Sequence, residues 1–313
     1  MSYWELQSAE PPCTPTFLML NQYEARGFEA LMAPALLILV VTTLARMIIM
    51  PLVLRPLALA AVGSDARSAK TRVTFSEAGW RACLYAAACK YAVSTVFFSD
   101  EDMPWLQDHV HFWKGWPYLE VSPNMAFLYA LYAGFYMHQV MFLFLDVKTS
   151  DFLALLLHHF VTLTLVVLSW SMNFTRIGSF TMVLYDFSDV FLEVAKCFNY
   201  SRKKHPRLST GADVSFAVFA VSFFYLRLYV FPTHVIYSVI FEACNHVACL
   251  EPGRERDVWT FSEVRAWLLF VPLLCLLQCL QIFWGWKILG VIATVSRGKE
   301  LNDPRDDNDP RDD

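Results

Sequence analysis

Six ionisable side chains lie within two apolar segments between residues 151 and 200. They are His158, His159, Asp186, Asp189, Glu193 and Lys196. An ionisable group in hydrocarbon costs about 3 kcal/mol or more, so it usually faces a cavity or a partner. Imidazole titrates near neutral pH, and an adjacent carboxylate fixes its tautomer and raises its basicity. These residue types are those of a general-base site.

The two segments are predicted to be antiparallel helices that turn near residues 174–175. At a rise of about 1.5 Å per residue, both histidines then lie within about two turns of the aspartates and about 10 Å from the nearer helix ends. Asp186, Asp189 and Glu193 share a face through i, i+3 and i, i+4 spacing, and Lys196 continues it. We expect a polar pocket in which imidazoles and carboxylates are in contact.

Residue types alone leave several interpretations of this pocket open. It is a general-base site, or a polar network that joins two helices, or a proton relay. A metal site is the weakest interpretation, because adjacent histidines project about 100° apart on a helix and rarely bind one ion together. We therefore expect no metal.

The composition of the chain is that of a membrane protein. Of its 313 residues, 56% are hydrophobic and 17% are charged, against roughly 45–50% and about 25% in soluble domains. Seven apolar runs reach the length of about 20 residues that crosses a bilayer core. They cover about 31–54, 77–98, 125–145, 152–172, 177–198, 213–240 and 264–293. We predict an all-α polytopic membrane bundle of about seven transmembrane helices, and no motif favours nucleic-acid binding.

The loops between these runs differ in basic charge. The loops at 55–76, 146–151 and 199–212 hold nine Lys and Arg residues, and those at 99–124, 173–176 and 241–263 hold four. Cytosolic loops carry the excess of Lys and Arg. We therefore expect the first set and the C-terminus in the cytosol and the N-terminus in a lumen.

The predicted organisation has four parts. Residues 1–30 form a luminal segment, 31–54 the first transmembrane helix, 70–293 the main membrane domain, and 294–313 an acidic tail that we expect to be disordered. Cys244 and Cys249 lie in a predicted luminal loop, where an oxidising compartment allows a disulfide.

The polar hairpin carries a resemblance to a known family. The run HHFVTLTLVVLSW, NFTRIGSF and YDFSDVFLEVAKCFNY resembles the signature of the ceramide synthases, the acyl-transferring members of the TLC-domain membrane proteins. The matching positions are His158, His159, Thr162, Leu165, Ser169, Asn173, Arg176, Gly178, Asp186, Ser188, Asp189, Leu192, Glu193, Ala195, Lys196 and Tyr200. Further similarity extends the match over roughly residues 70–290.

The resemblance implies an endoplasmic-reticulum enzyme that joins the acyl group of a fatty acyl-CoA to the amine of a sphingoid base. It implies His158 and His159 as base and proton-transfer groups, with Asp186 and Asp189 orienting them. Tyr185, Glu193, Lys196 and Arg176 are then candidates for catalytic support. The acyl-CoA is a substrate, so no cofactor is expected, and membrane lipids are the other partners. A homodimer or heterodimer is compatible with the family.

The basic loop after the hairpin has two interpretations. Arg202, Lys203, Lys204 and Arg207 are placed to contact the phosphates of CoA, or they act only as the orientation signal beside a span. The loop at 241–263 corresponds to the family region that influences acyl-chain length.

Tyr185 departs from the family signature, which has a histidine before the aspartate. A phenol, with a pKa of about 10, is a poor base at neutral pH, although its hydroxyl can donate a hydrogen bond to a developing oxyanion. This departure motivates a second hypothesis, a non-enzymatic TLC-domain protein that binds or senses lipid. A seven-span receptor or transporter fits the number of spans, but its polar residues would not be expected to cluster in one hairpin.

Overall fold

The computed structural model describes residues 16–97, 109–113, 119–243 and 261–297. Its α-helices are α1 Thr16–Ile49, α2 Arg55–Val62, α3 Ala69–Phe97, α4 Pro123–Leu143, α5 Phe152–Ser171, α6 Thr175–Ser201, α7 Ser209–Phe223 and α8 Phe261–Ser296. Three π-helical segments complete the bundle: Met50–Leu54 between α1 and α2, and Phe224–Ile236 and Ser238–Glu242 after α7. The described residues contain no strand, so the all-α prediction is confirmed.

Five helical segments are long and apolar enough to cross a membrane. They are Phe28–Val62, Pro123–Leu143, Phe152–Ser171, Pro206–Glu242 and Leu269–Ser296. The two predicted runs outside this set lie in α3 and α6, which carry charged side chains along their length. The predicted count of seven is therefore not confirmed.

The outer face of the bundle is apolar. Leu37 and Met47 on α1 and Trp286 on α8 are 64%, 66% and 78% exposed. Extended apolar surface of this kind marks a surface that is not meant to meet water. Together with the five apolar segments, it identifies a multi-pass membrane protein.

The N-terminal helix is longer than predicted. α1 begins at Thr16 and runs through the predicted start at 31, and Pro51 lies in the π-helical turn that joins it to α2. Proline lacks the N–H that an α-helix needs, and a π-turn is one way to pass it. Residues 1–15 and 298–313, which make up much of the predicted luminal segment and of the acidic tail, lie outside the described residues, as do Cys244 and Cys249.

The predicted helical hairpin turns where the sequence places it, between α5 and α6. Asn173 adopts a positive φ of 58°, and its side-chain amide donates a 2.8 Å hydrogen bond to the carbonyl of Leu119. Beyond the turn, α6 packs mainly on α3 and α7, whereas α5 packs mainly on α4. The two helices of the hairpin therefore leave space between them.

Candidate active site

A polar cavity of about 230 Å³ fills the space between α5 and α6 at the end opposite their turn. Asp146 and Thr149 of the α4–α5 connection and Asn199 and Tyr200 near the C-terminal end of α6 line its outer part. Its inner part is lined by His158 and His159, Asp189, Glu193, Lys196 and Arg227. The structure thus brings five of the six ionisable residues of the hairpin to one cavity.

The two histidines lie on α5, between one and two turns from its start at Phe152. They are 8% and 7% exposed. The ring of His158 stacks on Tyr185 with centroids 6.0 Å apart and meets the edge of Trp284 at 5.4 Å. The ring of His159 packs on Tyr136 at 5.9 Å. Aromatic packing on both rings holds the imidazoles in place at the wall of the cavity.

The carboxylates of α6 pair with cations from α3, from the π-helical segment Phe224–Ile236 and from α6 itself. Asp189 forms an ion pair with Arg227, with 2.7 Å between Oδ1 and Nη2. Glu193 pairs with Lys196 at 2.7 Å and with Arg81 of α3 at 3.2 Å. Helical spacing predicts imidazoles and carboxylates in contact. Among the described residues, however, no hydrogen bond or ion pair joins a carboxylate to either histidine, because these cations take the carboxylates instead.

Asp186 does not line the polar cavity. It is completely buried and accepts a 3.2 Å hydrogen bond from the hydroxyl of Tyr136 on α4. Since the Tyr136 ring also packs on His159, Asp186 reaches that histidine only through Tyr136. The expected orienting role of Asp186 is therefore indirect in this geometry.

Arg227 is a site residue outside the candidates that the sequence indicates. It lies in the π-helical segment Phe224–Ile236 and is 4% exposed. Its guanidinium bonds Asp189, donates to the backbone carbonyl of Tyr185 and donates to Gln281 of α8 at 3.3 Å. The sequence feature that could have indicated it is an arginine inside an apolar run, because a buried cation requires partners.

A second ionic cluster lies at the outer part of the cavity. Arg46 of α1 pairs with Asp146 at 2.5 Å, and Arg81 of α3 approaches the same carboxylate at 3.6 Å. Glu77, also on α3, accepts a 3.4 Å hydrogen bond from the backbone of Val147. Among the described residues Glu77 forms no ion pair, although it is 6% exposed and lines the cavity.

Tyr185 lies at the inner end of the polar cavity. It is 4% exposed, with the guanidinium carbon of Arg227 4.9 Å from its ring centroid and Phe231 edge-on at 5.2 Å. Its hydroxyl is buried and has no hydrogen-bond partner among the described residues. A buried hydroxyl without a partner is costly, so this position calls for an explanation.

A second, apolar cavity of about 50 Å³ lies beyond Tyr185. Thr162, Leu165 and Ser169 of α5 line one side of it, and Gly178 and Thr181 of α6 line another. Leu274 and Leu277 of α8 belong to the same lining. The side chains of this lining are mostly apolar, which suits a hydrocarbon group.

Arg176 lies at the turn end of α6 and not at the polar cavity. Its guanidinium donates a 2.8 Å hydrogen bond to the backbone carbonyl of His111. At 1.5 Å per residue it is about 20 Å along α6 from Asp189. Arg176, a candidate for catalytic support, therefore lies away from the polar cavity, and its position suits a role in holding residues 109–113 against the hairpin.

The basic loop after α6 is divided between two environments. Lys204 donates a 2.8 Å hydrogen bond to the carbonyl of Ala60 at the end of α2. Lys203 and Arg207 are exposed, and Arg202 is partly exposed. The loop begins directly after the cavity residues Asn199 and Tyr200.

Among the residues that the structure describes, no group of three or more His, Cys, Asp or Glu side chains has metal-binding geometry.

The fold and the site define a multi-pass helical membrane protein with a buried polar cavity. A family model described as the TLC domain matches residues 74–290. Ceramide synthase 4 of Bos taurus is 32% identical over 234 residues, which cover 74% of this chain and 54% of that protein. Ceramide synthase LOH2 of Arabidopsis thaliana is 32% identical over 253 residues, which cover 80% of this chain and 79% of that protein.

Ceramide synthase 3 of Homo sapiens is 31% identical over 236 residues, covering 75% of this chain and 55% of that protein. The chain thus spans about half the length of the mammalian relatives it matches and about four fifths of the plant relative. The protein belongs to the TLC domain family, and its curated relatives include ceramide synthases. The resemblance in the polar hairpin is confirmed.

Proposed function

We propose that the protein is an N-acyltransferase of the ceramide synthase type, which transfers the acyl group of a fatty acyl-CoA to the amine of a sphingoid base. The observation that carries this proposal is the pair of buried histidines at the wall of a polar cavity, with an apolar cavity beyond them. The ceramide synthase relatives support the same class of reaction.

In the proposed reaction the amine nitrogen attacks the thioester carbonyl, the new C–N bond forms and the C–S bond breaks. The ammonium form of the base first releases one proton to solution, and the neutral amine attacks. Its nitrogen gives up a second proton as the amide forms, and the thiolate of CoA gains one. His158 or His159 accepts the proton from the amine and supplies it to the leaving group, a general acid–base role worth about 10²–10⁴-fold in rate. Asp189 contributes through Arg227 and the backbone of Tyr185, to which Arg227 is bonded.

Glu77 is the group that we assign to the amine. The other carboxylates that line the polar cavity, Asp146, Asp189 and Glu193, each have a cation as partner. Among the described residues Glu77 forms no close ion pair and accepts a hydrogen bond from the backbone of Val147, while Arg81 and Arg46 act on it at longer range. A buried carboxylate without a close ion-pair partner gains most from an added cation, so the ammonium group of the incoming sphingoid base is the complementary ligand.

The phosphates of CoA are assigned to the basic loop after α6. Lys203 and Arg207 are exposed beside the outer part of the cavity, and Arg202 is partly exposed. We place Lys204 second in this group because its ammonium already bonds Ala60. Arginine and lysine supply the charge-assisted bonds that phosphate requires.

In the proposed topology α3 and α6 also cross the membrane, which makes seven spans. Their lengths of 29 and 27 residues are sufficient, and their charges pair inside the bundle through Arg81, Glu193 and Arg227. The Lys and Arg distribution favours a luminal N-terminus and a cytosolic C-terminus in the endoplasmic-reticulum membrane. The polar cavity then opens on the cytosolic side, where acyl-CoA is available.

A second candidate is a non-enzymatic lipid-binding or lipid-sensing protein. It is favoured by Tyr185, which replaces the histidine of the family signature, and by the lack of a carboxylate on either remaining histidine among the described residues. A Tyr185→His variant that gains acyltransferase activity where the parent has none would support this candidate.

The deciding experiment is expression of the protein in a host without acyltransferase activity of its own, followed by mass spectrometry of N-acylated sphingoid bases. The proposal expects product that depends on added acyl-CoA. Lack of product in the parent, with a Tyr185→His variant that forms it, would favour the second candidate instead.

A further inference from the structure

The polar and apolar cavities lie along one axis of the bundle. α5 contributes His158 and His159 to the polar cavity and, further along the same helix, Leu165 and Ser169 to the apolar cavity. α6 and α8 pass the two cavities in the reverse chain order. Thr181 and Leu274 line the apolar cavity, and Asp189 and Ile288, further along the same two helices, line the polar cavity. Three helices that each line one cavity and then the other place the cavities end to end.

None of the described residues lines both cavities, and aromatic rings lie between them. His158 of the polar cavity stacks on Tyr185 of the apolar cavity with ring planes 20° apart. His159 of the polar cavity packs on Tyr136 of the apolar cavity with centroids 5.9 Å apart. These two ring pairs form a layer across the axis, directly behind the proposed reacting groups.

Tyr185 is the member of this layer that contacts both polar-cavity residues and the π-helical segment Phe224–Ile236. Its ring lies between His158 on one side and Arg227 and Phe231 on the others. Arg227 also bonds the Tyr185 backbone, which fixes the residue at the layer. Its unpartnered hydroxyl belongs to a side chain that lines the apolar cavity, so the phenol occupies the space that would join the two cavities.

We infer that the side chain at position 185 sets the length of the acyl chain that the protein accepts. With tyrosine in place, an acyl chain whose thioester lies at the histidines must end at or turn away from the aromatic layer. Removal of the phenol would join the cavities and give the chain a straight path along the axis toward Ser169 and Leu274. This inference rests on the proposed function and identifies a residue that determines substrate specificity.

The size of the effect follows from buried hydrocarbon. Two further methylene groups moved from water into an apolar cavity raise binding by about tenfold. We therefore expect the product ratio of very-long-chain to long-chain amide to rise at least about tenfold in Tyr185→Ala, which corresponds to about 1.4 kcal/mol. Tyr185→Phe retains the ring and its packing, so its product ratio should equal that of the parent.

The experiment compares the parent, Tyr185→Ala, Tyr185→Phe and the double variant that combines Tyr185→Ala with Leu277→Phe. Each protein is given long-chain and very-long-chain saturated acyl-CoA in competition, and the N-acyl products are measured by mass spectrometry. The added phenylalanine refills the apolar cavity, since Leu277 lines it, and should return the ratio toward that of the parent. Elution as a single species in detergent establishes that each variant is folded.

A second measurement does not depend on turnover. Acyl-CoA is added without amine, and the rise in thermal unfolding temperature is recorded for each chain length. For the parent, the increase in unfolding temperature should grow with chain length only as far as the long-chain acyl-CoA. For Tyr185→Ala it should be larger still with the very-long-chain acyl-CoA. The inference would be overturned by a folded Tyr185→Ala variant that keeps the parental product ratio. It would also be overturned by a folded variant that is inactive at every chain length and shows the parental dependence of unfolding temperature on chain length.

The two hypotheses fail differently. If the parent forms no product, the proposed function fails, and the thermal measurement alone then decides whether position 185 limits the chain. If the parent forms product and the variants do not shift it, only the inference fails.

Discussion

Arg227 and Asp189 form an ion pair between a π-helical segment and α6, with 2.7 Å between Nη2 and Oδ1. The arginine side chain is 5% exposed and the aspartate side chain 20% exposed. Because the same guanidinium bonds the backbone of Tyr185 and the side chain of Gln281, the pair connects three elements around the polar cavity.

Breaking this pair should destabilise the protein. Arg227→Met leaves Asp189 without its cation, and removal of one partner of a buried pair costs about 3 kcal/mol. The thermal unfolding temperature in detergent should fall clearly below that of the parent. Arg227→Met combined with Asp189→Leu should recover more than half of the loss, since no uncompensated charge remains. A single Arg227→Met variant as stable as the parent would contradict this prediction.

His159→Ala should abolish most of the acyltransferase activity while the protein remains folded. Loss of a general base lowers the rate by about 10²–10⁴-fold, measured as N-acyl product per amount of folded protein. His138→Ala is the matched control, because His138 is also buried but packs between Trp80 and Phe142 and does not line the polar cavity. Normal turnover in a His158→Ala, His159→Ala double variant would refute the proposed base.

Glu77→Gln should weaken binding of the amine and not of acyl-CoA. The amide keeps the shape of the side chain and can still accept from Val147, but it lacks the charge that attracts an ammonium group. We expect KM for the sphingoid base to rise about tenfold, with KM for acyl-CoA unchanged. Asp213→Asn, an exposed carboxylate on α7, is the control. An equal rise in both KM values would point to a general loss of structure.

Gly178→Ala should destabilise the hairpin. A Cβ atom at Gly178 would lie 2.0 Å from the hydroxyl of Tyr129 and 2.9 Å from Oγ of Ser169. The hydroxyl of Tyr129 also donates to the carbonyl of Thr175 at 3.2 Å, so the added methyl would disturb a buried hydrogen bond. Thermal unfolding should occur at a lower temperature than in the parent.

Gly290→Ala is the comparison for Gly178→Ala. A Cβ atom at Gly290 meets no atom within 4 Å, and the residue lies inside α8. Alanine is favoured over glycine in a helix by about 1 kcal/mol, so this variant should be at least as stable as the parent. The same loss at both positions would mean that the close approach at Gly178 has no special effect.

The sequence predicts the elements of this fold well. The turn of the hairpin, the all-α class and the approximate bounds of the apolar runs follow from periodicity and hydropathy. The gathering of His158, His159 and Asp189 at one cavity follows from helical spacing. These features depend on local sequence, which is why they can be predicted.

The partners of the charged residues could not be predicted. Asp189 and Glu193 share a face of α6, and that face meets α3 and α7 instead of α5, so Arg81 and Arg227 take the carboxylates. Asp186 points to Tyr136 and not into the cavity. Such choices depend on how helices pack, and spacing within one hairpin carries no information on its neighbours.

The charged faces of α3 and α6 have a consequence for synthesis of the chain. Arg81 on α3 is made well before Asp146 and Glu193, the carboxylates that neutralise it. Until those residues emerge, Glu77 of the same helix is the only one of these carboxylates present beside Arg81, and a helix with such charges has little tendency to enter lipid by itself. With α3 as a span, as proposed, we expect insertion of this bundle to be cooperative, with α3 entering lipid only when α6 arrives.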